Sequence, residues 1–365
     1  MNNGHDYVKL FNQNIRNFFK DAFRISLRDP DLAFFLLQTL RRQSKAAQAR
    51  LAWEKQGVHV PPFMIASITN QCNLRCKGCY AHALHRSTEA EMSADKLRSV
   101  IAEADEIGVS IILIAGGEPL TRPEILDITG EFPGMIFPLF TNGLLIDDKT
   151  IKRLKKQRNV VPVISLEGGR AYTDGRRGPG VYEHTLNRME TLNEQGVFFG
   201  TSLTVTRQNF ASVVDERFVG RLIDSGCKLF FFVDYVPTQE GTEDLVLTDE
   251  QRREESSLLA SFRAGLPGLF VAFPGDEEMY GGCLAAGRGF VHISPGGRLE
   301  PCPFSPFSDA SLRDLSLKEA LQSDFLRKIR ESGDHLGETN GGCALWAKRE
   351  WVGSLFQSTA ANVQA

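Results

Sequence analysis

From residue 63 onward the chain alternates short apolar runs with amphipathic stretches, and this rhythm leaves few folds open to it. The strand candidates are FMIASIT (63–69), SIILIA (110–115), MIFPLF (135–140), VVPVIS (160–165), VFFGTSLTV (197–205) and KLFFFVDYV (228–236). Each precedes a stretch with helical spacing of apolar residues, over about 93–107, 122–130, 147–157, 181–195, 209–225 and 249–264. Apolar strands joined by helices are the pattern of parallel βα units, whose sheet is covered on both faces. Six units are too few to close an eight-stranded barrel, so the expected fold is α/β, a partial (βα)6 barrel over residues 61–266. Chemistry in such folds gathers at the C-terminal ends of the strands.

Residues 1–60 carry ten Lys/Arg against five Asp/Glu, a local charge of +5 in a chain whose net charge is -3. Phe11, Ile15, Phe18, Phe19 and Phe23 recur near helical spacing, as do Phe34, Leu37 and Leu40, with Asp31 as a candidate cap for the second run. The segment reads as two or three amphipathic helices, an N-terminal extension. Its basic character suits docking on a membrane surface or a protein, and packing against the main domain is the plainer reading. After Pro267 the sequence becomes rich in Gly and Pro, with a hairpin expected around FVHIS (290–294) and GRLEP (297–301) and a last helix over about 315–331. This gives a small C-terminal α+β domain over 267–350, followed by a tail, 351–365, expected to fray from residue 358.

Composition narrows the function. The near-neutral charge gives no basic field for nucleic acid, and no window approaches the ~18 apolar residues of a membrane span. The N-terminus lacks a basic start, apolar core and cleavage site, so the cytoplasm is the expected location. Seven cysteines, at 72, 76, 79, 227, 283, 302 and 343, argue for metal or redox chemistry over disulfides.

Three of them form C-x3-C-x2-C in SITNQCNLRCKGCYAHA, directly after the first strand candidate. Three thiolates on one loop hold three irons of a [4Fe–4S] cluster and leave the fourth open to a substrate or cofactor. Structural zinc is the alternative; it wants a fourth Cys or His, for which His82 and His85 are the local candidates. Cys227 reads as a buried core thiol.

With Tyr80 after the third cysteine, this loop resembles the signature of the radical S-adenosylmethionine (radical SAM) superfamily. AGGEPL (115–120) resembles that family's glycine-rich segment, and TNG (141–143), ISLEG (164–168) and TSLTVTRQN (201–209) follow its usual progression. The resemblance implies that Cys72, Cys76 and Cys79 hold the catalytic cluster and that Tyr80 and the backbone of Gly116, Gly117, Glu118 and Pro119 help to bind the cofactor. It further implies Ser165 for the cofactor's carboxylate or ribose and Arg177 for its carboxylate. For Ser165 a plain strand-end turn residue is the competing reading. Many relatives have Asp where Glu167 stands, and the role of this acid stays open. The implied reaction is reductive cleavage of S-adenosylmethionine to methionine and a 5′-deoxyadenosyl radical, which removes a substrate hydrogen. The protein's task is positioning and exclusion of water, with Asp234 and Tyr235 as candidates to face substrate.

Cys283 and Cys302, spaced around Gly297, and the Gly-Gly-Cys ending at Cys343 resemble the C-terminal extension called SPASM, or its shorter relative called twitch. The extension is reduced: where a C-x2-C-x5-C run would precede Cys343, the chain has Arg330, Gly333 and Thr339. The three remaining thiolates imply a second, auxiliary [4Fe–4S] cluster with a non-cysteine ligand or substrate atom on its fourth iron, and His335, Asp334 and Glu338 are nearby in sequence. A zinc site and unligated cysteines are the alternatives.

Relatives with such extensions often modify peptides, so a peptide or protein substrate is expected, with a low-potential electron donor such as flavodoxin or ferredoxin. Pro303 stands after Cys302 where the formylglycine-forming maturases carry an acid, and no winged-helix leader-binding domain is evident in residues 1–60. The alternative substrate is a small metabolite or cofactor precursor. A non-catalytic iron–sulfur or zinc protein is the remaining reading, disfavoured because a simple electron carrier normally has four protein ligands per cluster.

Overall fold

The computed structural model describes residues 3–27, 29–84, 89–337 and 342–363, with side chains throughout these except at 3–8, 278 and 360–363. The six apolar runs form strands β1 (Phe63–Ser67), β2 (Ile111–Ala115), β3 (Phe137–Thr141), β4 (Val160–Leu166), β5 (Gly200–Val205) and β6 (Leu229–Asp234). All six are parallel and adjacent in chain order, the signature of right-handed βα winding, and they curl into a half-barrel. Helices Ala94–Ile107, Ile125–Gly130, Asp148–Lys156, Val181–Glu194, Glu216–Asp224 and Asp249–Gly265 lie between and after them. Their starts are fixed locally: Ser93 accepts the Lys96 N–H at 3.2 Å, and Thr248 and Gln251 form a reciprocal capping box.

The sheet reaches beyond these six units at both edges. A seventh parallel strand, β7 (Leu269–Phe273), pairs with β6. Its five residues sit between Pro267-Gly268 and Pro274-Gly275 with no helix of their own behind them, so the sequence offers no βα rhythm to mark them. The expected hairpin is present as β8 (Phe290–Ile293) and β9 (Leu299–Glu300), but β8 also lies parallel to β1 and completes a nine-stranded sheet. His292 of β8 is fully buried between Ser67 Oγ at 2.8 Å and Glu300 Oε2 at 2.7 Å, tying the hairpin to the end of β1.

Three local expectations are corrected. The helix over 315–331 is two, Leu317–Ala320 and Asp324–Glu331, divided where Ser323 caps the second by accepting the Leu326 N–H at 3.0 Å. The helix over 209–225 likewise divides into Phe210–Val213 and Glu216–Asp224, the second capped by Asp215. The C-terminal tail does not fray at residue 358: Arg349–Val363 is helical, with Val352 buried and the Phe356 ring 5.5 Å from that of Phe325.

The N-terminal extension is two helices, α1 (Asn3–Ile25) and α2 (Pro30–Glu54). The cap of α2 is Asp29 rather than Asp31: its Oδ1 accepts the Leu32 N–H at 3.0 Å, and Pro30 takes the first helical position. Phe19 and Ala22 of α1 and Leu32 and Leu36 of α2 form one buried cluster with Ile136, Val161, Val163, Leu229 and Leu269. Most of these strand residues lie at or near strand starts, so the hairpin plugs the N-terminal end of the barrel interior. Leu27, Phe34 and Leu37 remain exposed on its outer side. No helix among the described residues is long and apolar enough to cross a membrane.

Candidate active site

The interior of the half-barrel holds a cavity of about 760 Å³. Strand alternation explains its walls. Ile65, Leu113, Pro138, Phe140, Phe231 and Val271 point inward below, and Ser165, Ser202 and Thr204 point inward near the strand ends. Phe11, Ile15, Phe18 and Phe19 of α1 close it from the N-terminal end. Cys72, Cys76 and Cys79, on the loop after β1, line the opposite end with Gly116, Gly117, Ser165 and Arg177. The structure thus brings together residues that the sequence separates by about a hundred positions.

The cysteine loop is clamped to the glycine segment after β2. The Gly117 N–H donates to Thr69 O at 2.8 Å and the Glu118 N–H to Gln71 O at 2.7 Å. The approach requires glycine. A Cβ on Gly116 would stand 2.5 Å from Thr69 O, at a φ of +123°, and one on Gly117 would overlap Gln71 O. The Glu118 side chain is turned inward: Thr141 Oγ1 and the Asn142 N–H donate to it at 2.8 Å each, and the Leu120 N–H at 3.1 Å. Glu118 therefore locks the ends of β2 and β3, and burial raises its pKa above the usual carboxylate range. Pro119 is buried behind it at the start of a short 3-10 turn.

Arg177 is not a lone cation. Its Nε and Nη2 donate to Glu167 at 2.6 and 2.7 Å, and its Nη1 lies 4.0 Å from Cys76 Sγ. Arg176 also donates to Glu167, at 2.6 Å, and to Thr204 Oγ1 at 3.0 Å. Burial by itself would raise the pKa of Glu167, but the two guanidinium groups outweigh it and hold the carboxylate ionised. Two cations against one anion leave a positive excess beside Cys76. Sequence reasoning left Glu167 without a role; its spacing of nine and ten residues from the arginines gave no signal, because the helix Arg170–Arg177 between them was not foreseen.

Burial raises the pKa of Cys72 and Cys76, an effect that Arg177 and Arg176 oppose at Cys76. Tyr80 stands at the cavity wall with its ring 5.1 Å from that of Phe304. Asp234 and Tyr235, at the end of β6, both line the cavity. Tyr235 Oη packs so closely on Gly78, between Cys76 and Cys79, that a Cβ there would be 2.5 Å away. That hydroxyl is buried without a hydrogen-bond partner. Pro303 and, unmarked by the sequence, Phe304 also line the cavity, directly after Cys302.

Cys283, Cys302 and Cys343 surround a second, small cavity of about 30 Å³ with Phe273, Phe290, Phe304 and Glu277. Burial raises the pKa of all three thiols, Cys343 to about 11. Cys227 is buried in the main core, as expected. His82 lines the large cavity, while His85 and Glu338 lie outside the described residues. Asp334 and His335 are in a turn of helix and do not line the second cavity; His335 stacks on Trp351 with centroids 4.3 Å apart. Among the described residues, no three His, Cys, Asp or Glu side chains gather closely enough to hold a single metal ion.

Residues 66–215 match the Radical SAM superfamily. This segment is a radical SAM domain. The chain is 27% identical over 309 residues to an AdoMet-dependent heme synthase of Methanosarcina barkeri, covering 77% of this chain and 88% of that one. It is 22% identical over 314 residues to the PqqA peptide cyclase of Gluconobacter oxydans, covering 82% and 87%. Among solved structures, Streptococcus suis SuiB bound to precursor peptide SuiA superposes with a TM-score of 0.61 at 20% identity, over 81% of this chain and 72% of that one. The half-barrel with its N-terminal helices is the partial TIM barrel of this superfamily, for which a [4Fe–4S] cluster and S-adenosylmethionine are the implied cofactors.

Proposed function

We propose that this radical SAM enzyme holds its catalytic [4Fe–4S] cluster on Cys72, Cys76 and Cys79 and removes a hydrogen atom from a compact, largely apolar metabolite of the cofactor-precursor class. The observation that carries the reading is a single cavity of about 760 Å³ in which these cysteines, Gly116, Gly117, Ser165 and Arg177 share walls with Asp234, Tyr235 and an apolar floor. The donor set fits the cofactors. Three thiols on one loop leave a fourth coordination position open, and the positive excess of Arg176, Arg177 and Glu167 favours an anionic partner such as a carboxylate. When bound, the cluster and S-adenosylmethionine supply the electron and the carbon radical.

The chain's own residues do the rest. Gly116 and Gly117 let the backbone approach the cysteine loop, and Arg177 holds position through Glu167. Tyr80 and Phe304 cover one end, and Phe11, Ile15 and Phe18 keep water from the other. The N-terminal segment serves as this plug, a use that favours an enclosed substrate over a docked leader peptide. The heme synthase relative, matched over 88% of its length, supports the same class. Electrons would come from a low-potential donor of the flavodoxin or ferredoxin kind.

Peptide modification is the second reading. It is favoured by Pro303 and Phe304, which bring the Cys302 segment to the substrate cavity, and by the PqqA peptide cyclase relative. The test is anaerobic reconstitution followed by 5′-deoxyadenosine measurement with porphyrin heme precursors and, separately, with precursor peptides. Stimulation by porphyrins supports the metabolite reading; stimulation only by peptides replaces it with the second; absence of any cleavage overturns both.

A further inference from the structure

Among the described residues, the three cysteines of the C-terminal region share their cavity with one further ionisable group, Glu277. It lies six residues before Cys283 in the stretch after β7, outside any motif that the sequence brought out. Its side chain is buried, the residue being 5% exposed, and its Oε2 accepts the Gly275 N–H at 2.7 Å, which orients the carboxylate.

A carboxylate and three thiols converge on a space of about 30 Å³. The nearby cation, Arg288, donates to the carbonyls of Cys283 at 2.7 Å and Tyr280 at 2.9 Å. Three thiols and a carboxylate are also the donor types that hold a multiply charged cationic centre. The same donor set suits a centre presenting a separate iron to each ligand.

We infer that Glu277 supplies the non-cysteine ligand of an auxiliary [4Fe–4S] cluster held by Cys283, Cys302 and Cys343. The inference rests on the proposal that these cysteines bind a cluster at all. It replaces His335 and Asp334, neither of which lines the cavity, as the fourth ligand.

The test uses the full chain with Cys72, Cys76 and Cys79 changed to Ala, so that only the auxiliary site can load iron. Its readouts are iron and sulfide content, the electron paramagnetic resonance spectrum of the reduced protein, and the half-time of iron loss to a chelator. In this background Glu277→Gln should shift the spectrum and shorten the half-time about ten-fold, while Glu277→Cys should restore retention with a different spectrum. Retention in Glu277→Cys with a native circular dichroism spectrum separates ligand loss from misfolding. About four irons with an unchanged spectrum and half-time in Glu277→Gln would overturn the inference and leave the cluster. No iron, or zinc instead, in the parent background would overturn the cluster and the inference together.

Discussion

Arg177 grips Glu167 through two hydrogen bonds of 2.6 and 2.7 Å while its third nitrogen lies 4.0 Å from Cys76 Sγ. The pair is buried, the side chains being 10% and 1% exposed, and Arg176 completes a triad with the same carboxylate. The position of the cation beside the cysteine loop therefore depends on an acid on the far side of it. Glu167→Ala would leave two guanidinium groups without their counter-charge. We expect a loss of about 3–5 kcal/mol in stability, measured by denaturant unfolding. An unchanged midpoint would mean that the triad contributes nothing to the fold.

The clamp between the cysteine loop and the glycine segment gives a second prediction. Gly116→Ala forces a Cβ to within 2.5 Å of Thr69 O at a φ of +123°. Relief requires the loop to move, at a cost of about 1–3 kcal/mol. Iron incorporation at the catalytic site should fall and S-adenosylmethionine cleavage should drop at least about ten-fold, with circular dichroism unchanged. Full iron loading and full cleavage would show that the approach is not needed.

Removing the first cysteine triad separates the two proposed clusters. Reconstituted protein should hold about eight irons, and the Cys72/Cys76/Cys79→Ala variant about four with no 5′-deoxyadenosine formed. Four irons in the parent with cleavage intact would remove the auxiliary cluster and keep the catalytic one.

A buried acid behind the cavity wall sets a pH dependence. Burial first, and then Asp234, push the Glu255 carboxyl from 4.5 up to about 9, with Arg252 opposing and Asp276 adding to the rise. Between those values the folded protein keeps a proton that the unfolded chain has released. Unfolding then releases a proton, so stability falls as pH rises from about 4.5 to about 9, and the contribution is fully present below 4.5. In Glu255→Gln this group no longer titrates. Thermal melts from pH 5 to 9 should show the variant gaining on the parent as pH rises; parallel curves would contradict the raised pKa.

The six parallel strands, the cysteine loop and the glycine segment were legible in the chain because their information is local. Strand runs repeat with helices between them, three thiols stand within eight residues, and a turn that must approach another backbone shows itself as two adjacent glycines. The hydrophobic spacing of residues 1–60 likewise pointed to two or three helices, of which the structure has two, and with them an apolar face in need of a partner.

What no local pattern contained was which surfaces meet. That the α1–α2 hairpin fills the end of the barrel, that β7 and β8 extend opposite edges of one sheet, and that Glu167 serves two arginines became visible only in three dimensions. Glu277 stands in the same class: its neighbours at Cys302 and Cys343 are 25 and 66 positions away. Sequence spacing reports on contacts within a turn of helix or a strand pair, whereas these contacts follow from how the curled sheet and its covering helices divide the interior space. The chain by itself determined six parallel strands and the cysteine and glycine motifs at their ends; the tertiary packing decided what shares a cavity with them.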